Sequence, residues 1–277
     1  MASNAVLQAM SEAVGAGRPG KRTQSVPAVE RVFAILEVLS RSNTGLTLRE
    51  IADVCGVPKS SVHCIIVTLQ RAGYLHRNGR TSRYLFGRKF LCLANQAISS
   101  LELREQAEPH MRVLARSTRL PIHLGIAEFD EAVIVGKVGY AAAQMSANGS
   151  WLGKRMELHC TGIGKALLWD WSDAELTRLA RERTLSRHND NTISTLRRLQ
   201  DDLENSRRLG YSVDDEEDVL GLRCVGVPVR DANGRTVAAM SVAGTVHDLH
   251  SENFGRIAAE LRRAATFMQL AETPAGL

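Results

Sequence analysis

The feature that most constrains the fold is a pair of short amphipathic helices with a three-residue turn between them. Thr47 precedes a helix predicted over 48–54, and Glu50 follows at the spacing of a capping box. Cys55-Gly56-Val57 forms the turn, and the second helix is predicted over 59–71. Its apolar residues recur at intervals of three and four: Val62, Ile65, Ile66 and Leu69. Two short helices joined by such a turn predict a helix-turn-helix.

The second helix of a helix-turn-helix presents its leading edge to the major groove of DNA. Lys59 can neutralise a phosphate, and the hydroxyls of Ser60 and Ser61 can bond phosphate or base edges without bulk. We therefore predict DNA contacts from these helices: Thr47, Lys59, Ser60, Ser61, His63 and Arg71. The alternative is an ordinary helical hairpin whose hydroxyls only cap helices.

A short basic hairpin follows the two helices. Tyr74–His76 and Tyr84–Phe86 are predicted strands, and Asn78-Gly79 between them is a strong hairpin signal. Arg80 and Arg83 flank the loop and complete the predicted set of DNA contacts. Because an apolar helical pattern over 28–41 precedes this unit, residues 25–87 are predicted to form a winged helix-turn-helix domain.

The charge distribution supports a polyanionic partner for the N-terminal part of the chain. Residues 1–100 carry 13 Lys and Arg against five Asp and Glu, a net charge of +8, whereas the chain of 277 residues totals +5 and the remainder is therefore −3. A basic module joined to a mildly acidic one indicates a nucleic-acid-binding unit attached to something else. A basic surface without a partner is the alternative.

Composition excludes several classes of protein. No apolar run approaches the length of a membrane span, and residues 1–22 lack the pattern of a signal peptide. The five cysteines form no C-x-x-C pair, and the spacing in His247-Asp248-Leu249-His250 fits no common zinc signature. We expect a cytoplasmic protein with no membrane association, no cofactor and no metal site.

The rest of the chain mixes strand and helix signals without strict alternation, which predicts an α+β fold with an antiparallel sheet. Residues 1–24 are predicted to be a disordered arm, 88–101 a linker helix and 102–272 a second domain. Predicted helices cover 108–119, 161–170, 173–182, 192–209 and 251–270, and predicted strands cover 122–127, 132–138, 222–229 and 235–243. The run Asp214–Asp218 reads as a solvated acidic turn.

Several segments resemble the IclR family of bacterial transcriptional regulators. SVPAVERVFAILEVLS, LTLREIADVCGVPKSSVH and YLFGRKFLCLA resemble that family's DNA-binding half. HCTGIGKALL and LGYSVDDEEDVLGLRCVGVPVRDANGRTVAAMSVAG resemble its effector-binding half. The resemblance covers about 240 residues in matching order. It implies a GAF/PAS-like C-terminal domain in which a curved sheet holds a small ligand.

The resemblance also implies an effector site. Free N–H groups near Gly162 and Gly164, at the start of a predicted helix, suit an anion. The positions that match contacts to small acids in the family are Met156, Gly162, Ile163, Asp214, Cys224 and Ser241. This chain departs from the family at Ala243, where a second serine is common, and at Glu157, which replaces a proline. Fewer hydroxyls favour an aromatic or larger organic acid over glyoxylate.

The resemblance and the residues together predict a DNA-binding regulator that is switched by a small organic acid. It is expected to bind a pseudo-palindromic operator as a homodimer, or as a homotetramer, and to repress; activation with the same parts is the alternative. Cys64 stands where many family members have Arg, so base preferences are not carried over. A rival hypothesis is an enzyme with Cys160 or Cys224 as nucleophile and His159 as base, although adjacent His159 and Cys160 point apart in an extended chain. We predict no catalytic residues.

Overall fold

The computed structural model describes residues 26–99, 102–139 and 149–268, and the chain divides into two compact units, residues 1–97 and 98–277. The predicted arm 1–24 lies outside the described residues. The boundary between the units falls inside the helix predicted as a linker. Within the described ranges no single helix is long and apolar enough to cross a membrane, and the two that reach that length together are bent by 118°.

The N-terminal unit has the predicted helix-turn-helix and hairpin. Its elements are α1 (Pro27–Ser40), α2 (Leu48–Cys55), α3 (Lys59–Arg71), β1 (Leu75–Arg77), β2 (Tyr84–Phe86) and α4 (Arg88–Ser99). β1 and β2 pair antiparallel, and Leu46 bridges to Tyr84 on the open side of β2. This arrangement is a winged helix-turn-helix, so the predicted fold is confirmed for this unit.

Local signals explain where α2 begins and ends. The N–H of Glu50 donates to Thr47 Oγ1, and the N–H of Thr47 donates to the Glu50 carboxylate at 2.8 Å, which completes the capping box. Gly56 ends the helix in the left-handed conformation (φ 62°), which glycine adopts without strain. The inner faces of α1, α2 and α3 then bury one core: Ile35, Val38, Leu39, Ile51, Ala52, Val54, Val62 and Ile66, with Leu46, Leu75 and Tyr84.

The C-terminal unit contains six strands and five α-helices within the described residues. The helices are α5 (Glu102–Thr118), α6 (Gly162–Leu167), α7 (Asp173–Glu182), α8 (Leu196–Leu209) and α9 (Phe254–Thr266), the last preceded by a 3₁₀ turn, Ser251–Asn253. The strands are β3 (Ile122–Glu128), β4 (Glu131–Val138), β5 (Arg155–Glu157), β6 (Ser212–Asp215), β7 (Leu222–Arg230) and β8 (Thr236–Thr245).

One antiparallel sheet organises this unit. The strand order is β5-β4-β3-β8-β7-β6, so the two long hairpins, β3–β4 and β7–β8, meet at the β3–β8 pair. α5 and α9 pack on one face around Met111, Leu124, Val227 and Leu261. α6, α7 and α8 cover the other face around Ile134, Leu167, Leu176 and Leu199. The prediction of an α+β fold with an antiparallel sheet is therefore confirmed.

α6 approaches the sheet closely enough to require glycine on both sides. A Cβ on Gly226 of β7 would lie well inside contact distance of the Gly162 carbonyl, and a Cβ on Gly162 would lie 2.9 Å from Cys224 Cβ. The hydroxyl of Ser212 donates to the Gly162 carbonyl at 2.6 Å and so fastens the helix to β6 as well. The start of α6 is thereby fixed against two strands.

A buried cation lies one turn further along α6. Lys165 is fully buried, and its Nζ is 2.6 Å from Glu217 Oε1 and 3.1 Å from Asp202 Oδ2. Burial lowers the pKa of Lys165, but the two carboxylates outweigh burial and raise the pKa above its ordinary value. A lysine is rarely buried unless it is paired in this way.

Several local predictions were wrong, among them the helix predicted over 192–209, which begins at Leu196. α5 begins at Glu102 rather than near 108 and contains Pro109 in its interior, and β5 and β6 were not predicted as strands. The run Asp214–Asp218 is not a solvated turn: Asp214 and Glu217 are buried, because the N–H of Glu217 bonds Asp214 Oδ1 and the Glu217 carboxylate bonds Lys165. Short edge strands of three and four residues carry too little alternation to be recognised.

We predict that Gly226→Ala lowers the free energy of unfolding by about 1–3 kcal/mol, because its Cβ displaces the start of α6. Urea denaturation of the full chain measures this change. Gly255→Ala is the matched control: it lies in α9, nothing lies within 4 Å of the place its Cβ would take, and alanine there favours the helix. Equal denaturation midpoints for the two variants would contradict the packing argument.

Candidate nucleic-acid interface and ligand cavity

The first turns of α3 form an exposed polar edge. Lys59, Ser60 and His63 are exposed, Ser61 is half-buried, and Val62 and Ile66 anchor the opposite side in the core. Within the described part of the chain the side chains of Lys59, Ser60, Ser61 and His63 have no hydrogen bond or ion pair, so their polar groups are available to a ligand. These four predicted contacts therefore lie together.

Arg71 and Cys64 complete the outer face of α3. Arg71 is exposed in the last turn, about 18 Å along the helix from Lys59, and so lies apart from the leading edge. There it also suits the negative end of the helix dipole. Cys64 is exposed on the same face, between the two.

Thr47 and Arg83 are already engaged inside the N-terminal unit. Thr47 forms the capping box with Glu50, and Arg83 of the wing makes a two-pronged pair with the same carboxylate at 3.0 and 3.1 Å. Arg83 Nη1 also donates to the Gly45 carbonyl at 2.7 Å. Burial raises the pKa of Glu50, but hydrogen bonds from Thr47 and Arg83 outweigh burial and lower it. Arg83 therefore ties the wing to α2, whereas Arg80 is exposed at the wing tip.

All six predicted effector contacts line one cavity in the C-terminal unit. Met156, Gly162, Ile163, Asp214, Cys224 and Ser241 face it together with Ala243. The positions come from β5, α6, β6, β7 and β8, which only the folded sheet brings together. The cavity measures about 60 Å³, room for a few water molecules, so an aromatic acid requires lining side chains to move.

Sequence reasoning missed five further polar residues that line the same cavity. His123, Ser150, Lys154, Thr161 and Asp218 also line it. Burial, with the nearby charges of Lys137 and Lys154, lowers the pKa of His123 to about 3, so its imidazole is neutral at pH 7. His123 Nε2 lies 2.5 Å from Ser150 Oγ. Thr161 is the N-cap of α6 and adjoins Gly162 in the sequence. No spacing relates the other four residues to α6, because they lie on β3, in loops and after β6.

Asp214 is the central acid of the cavity. Burial raises the pKa of Asp214 to about 7, even though its Oδ1 accepts the N–H of Glu217 at 2.8 Å. Near neutral pH a substantial fraction of Asp214 therefore carries a proton that it can donate to an oxygen of a bound acid. Glu217, in the loop after β6, accepts a hydrogen bond from the buried Lys165.

The structure gives no support to a cysteine nucleophile. Burial and the neighbouring carboxylates raise the pKa of both the Cys160 and the Cys224 thiols, which disfavours the reactive thiolate. His159 is directed to the Ser186 carbonyl, 3.1 Å from its Nε2, rather than to a thiol. The enzyme hypothesis therefore lacks an activated nucleophile among the described residues.

Comparison with known proteins identifies both halves of the chain. A family model for the IclR helix-turn-helix domain matches residues 28–79, and one described as bacterial transcriptional regulator IclR C-terminal matches residues 95–269. The HTH-type transcriptional regulator XynR of Escherichia coli K12 is 31% identical over 232 residues, 83% of this chain and 91% of XynR. The acetate operon repressor of Salmonella typhimurium LT2 is 28% identical over 251 residues, 90% of this chain and 91% of the repressor.

A solved structure supports the fold independently. An IclR homologue from Microbacterium hydrocarbonoxydans, complexed with 4-hydroxybenzoate, matches with a TM-score of 0.72 at 22% identity, over 87% of this chain and 97% of that one. The similarity shows a shared fold. The named relatives are transcriptional regulators, not enzymes.

We predict that Arg83→Gln loosens the wing and lowers the stability of the N-terminal unit by about 1–3 kcal/mol, because Glu50 loses a charged partner. Hydrogen exchange at the amides of α2 and β2 measures the change where it arises. Arg80→Gln, at the exposed wing tip, is the control and leaves exchange unchanged. Unaltered protection in Arg83→Gln would show that the tie contributes nothing.

Proposed function

We propose that this chain, which belongs to the IclR family of bacterial transcriptional regulators, is a cytoplasmic repressor whose operator binding is switched by a small organic acid. The observation that carries the proposal is the presence in one chain of an unengaged polar edge on α3 and a separate polar cavity around Gly162, Asp214 and Ser241. Similarity to the acetate operon repressor supports repression.

The α3 edge carries DNA recognition in this proposal. Lys59 contacts phosphate, while Ser60, Ser61 and His63 reach phosphate or base edges in the major groove. Arg71 and Arg80 are exposed and contact the backbone on either side, and Thr47 and Arg83 act mainly by holding α2 and the wing in place. Cys64 lies on the same face, and its thiol cannot make the charged, two-pronged contact by which an arginine recognises guanine.

A homodimer supplies the second half-site. One winged helix reads only a few base pairs, and two copies place their α3 helices about 34 Å apart or at a multiple of that distance. The outward face of α1 exposes 61% of Phe33 and 45% of Val29, which makes it our candidate dimer surface. A pseudo-palindromic operator follows from this symmetry, and a tetramer is two such dimers.

The cavity holds the acid that switches the repressor. The N–H groups of Gly162 and Ile163 have no acceptor within α6, since they open the helix, and they can donate to a carboxylate. Asp214 and Ser241 add hydrogen-bonding groups, while Met156, Cys224 and Ala243 provide apolar wall. The complex of the Microbacterium homologue with 4-hydroxybenzoate makes that acid a suitable first probe.

Ligand binding changes operator affinity only by its different affinity for two arrangements of the protein. A coupling of about 1–3 kcal/mol, roughly 5–150-fold in affinity, is sufficient for a switch. Asp214 lines the cavity and accepts the N–H of Glu217, whose carboxylate binds the buried Lys165 of α6. A ligand that displaces Asp214 therefore also disturbs the ion pair in the core.

We predict that Lys59→Ala weakens binding to every duplex by a similar factor and reduces the slope of log K against log salt by about one, because one phosphate contact is lost. Gel shifts with an operator selected from a random duplex library measure both quantities. Arg116→Ala, on an exposed position of α5, is the control for a lost positive charge. Unchanged occupancy when Lys59, Ser60 and Ser61 are all replaced by Ala would overturn the proposed interface.

We predict that Asp214→Ala abolishes most of the stabilisation that a bound acid gives the full chain, because the substitution removes the carboxyl group that hydrogen-bonds the acid. A ligand at 100 times its Kd stabilises the folded state by about 2.7 kcal/mol, which a thermal-shift screen including 4-hydroxybenzoate and glyoxylate detects. Asp215→Ala is the control, since this neighbouring carboxylate is exposed and pairs with Arg223. Equal thermal shifts in both variants would place the site elsewhere.

Deletion of the gene distinguishes repression from activation. A repressor raises transcription of its target when it is lost, whereas an activator lowers it. Reduced target transcription in the deletion strain would overturn repression while leaving DNA recognition by α3 intact.

A further inference from the structure

A second group of chemically active side chains lies beside the cavity. Cys160, His188 and Asp218 each direct one donor atom to a common region, with those atoms all within 4.8 Å of one another. Glu157 joins them: its Oε2 is 2.6 Å from His188 Nε2 and 3.6 Å from Cys160 Sγ. Thiol, imidazole and two carboxylates are thus assembled from β5, the start of α6 and two loops.

Two of these separations are close to those of a metal centre, and the donor atoms of Cys160, His188 and Asp218, within 4.8 Å of one another, have to close by up to about 1.5 Å. Tetrahedral Zn²⁺ with bonds of about 2.0–2.3 Å holds its donor atoms about 3.3–3.6 Å apart. The Cys160–Glu157 separation of 3.6 Å already fits, and the His188–Glu157 pair has to open by less than about 1 Å. Cys160 is fully buried, whereas His188 is 36% exposed and leaves a path for an ion to enter.

His159 serves as a support rather than a ligand. Its Nε2 lies 3.1 Å from the Ser186 carbonyl and 3.8 Å from Glu157 Oε2. The contact between His159 and the Ser186 carbonyl holds the segment that carries His188 against the start of α6.

Glu157 contacts two members of the group. Its Oε2 lies beside both His188 Nε2 and Cys160 Sγ, so one carboxylate oxygen stands next to two other donor atoms. A simple ion pair between Glu157 and His188 would explain their contact. It leaves unexplained why the thiol of Cys160 and the carboxylate of Asp218 converge on the same point.

We propose that Glu157, Cys160, His188 and Asp218 form a binding site for a transition-metal ion of the Zn²⁺ class. The mixture of one sulfur, one nitrogen and two oxygen donors suits Zn²⁺ and Co²⁺ and does not suit Mg²⁺ or Ca²⁺, which take oxygen ligands. Asp218 also lines the effector cavity, so the ion and the acid share one wall. The site requires neither DNA nor acid and is independent of the function proposed above.

Titration of the chelator-treated full chain with Co²⁺ tests the site. We expect one equivalent of Co²⁺ to bind, to displace the proton of the Cys160 thiol and to produce a thiolate-to-Co²⁺ charge-transfer band. The band disappears when Zn²⁺ replaces Co²⁺. Cys160→Ser removes the band, and His188→Ala weakens Co²⁺ binding by at least about 10-fold. His188 is exposed enough for its replacement to leave folding intact, and circular dichroism checks Cys160→Ser.

Two controls separate this site from adventitious binding. Cys92→Ser and His247→Ala remove exposed residues outside the cluster and leave the titration unchanged. Absence of the band in the wild-type chain would overturn the proposal. Loss of the band in Cys92→Ser, with retention in Cys160→Ser, would also overturn it by assigning the ion to a surface thiol.

Discussion

The close approach of α6 to β7 is the contact on which the C-terminal unit depends. Because Gly162 and Gly226 both lack a Cβ, the backbone of the helix touches the backbone of the sheet, and Ser212 bonds the carbonyl at the interface. That approach carries Lys165 into the core, where its charge has to be matched by Glu217 and Asp202. Glu217 in turn holds the loop after β6, so the cavity wall follows from the packing of one short helix.

In the N-terminal unit the carboxylate of Glu50 joins the helix-turn-helix to the wing. Glu50 caps α2 through Thr47 and binds Arg83 of the wing, so the two parts of the domain meet at one side chain. Within the part of this unit that the structure describes, the polar side chains at the leading edge of α3 have no internal partner. Two arginines of the wing that look alike in the sequence differ in role. Arg83 is half-buried against the Glu50 carboxylate, whereas Arg80 is exposed to solvent.

The ends of the helices and strands in the N-terminal unit that are marked by capping or turn residues were predicted to within a residue or two. The capping box at Thr47 and the left-handed Gly56 specify α2 and its turn into α3 through interactions between near neighbours. Asn78-Gly79 correctly marks the hairpin, but the loop covers residues 78–83, and Ser82 rather than Gly79 has a positive φ in it. α5 was predicted to start late because Pro109 reads as a helix breaker, yet the helix passes through it while Met111 and Leu114 pack on the sheet. β5 and β6 exist because long-range pairing with β4 and β7 holds them, and sequence periodicity does not report such pairing.

The winged helix-turn-helix, the α+β class of the second unit and, through resemblance, the six positions around the cavity could all be predicted before any coordinates. These predictions rest on local hydrogen bonds, apolar periodicity and matching motifs. Which charges are buried and which groups converge depends on contacts that form only when the chain folds. Asp214 has a raised pKa because segments far apart in the chain bury it, and the same folding brings His188 and Asp218 to Cys160. Glu157 is close to Cys160 in the sequence, but no spacing along the chain encodes the approach of His188 and Asp218.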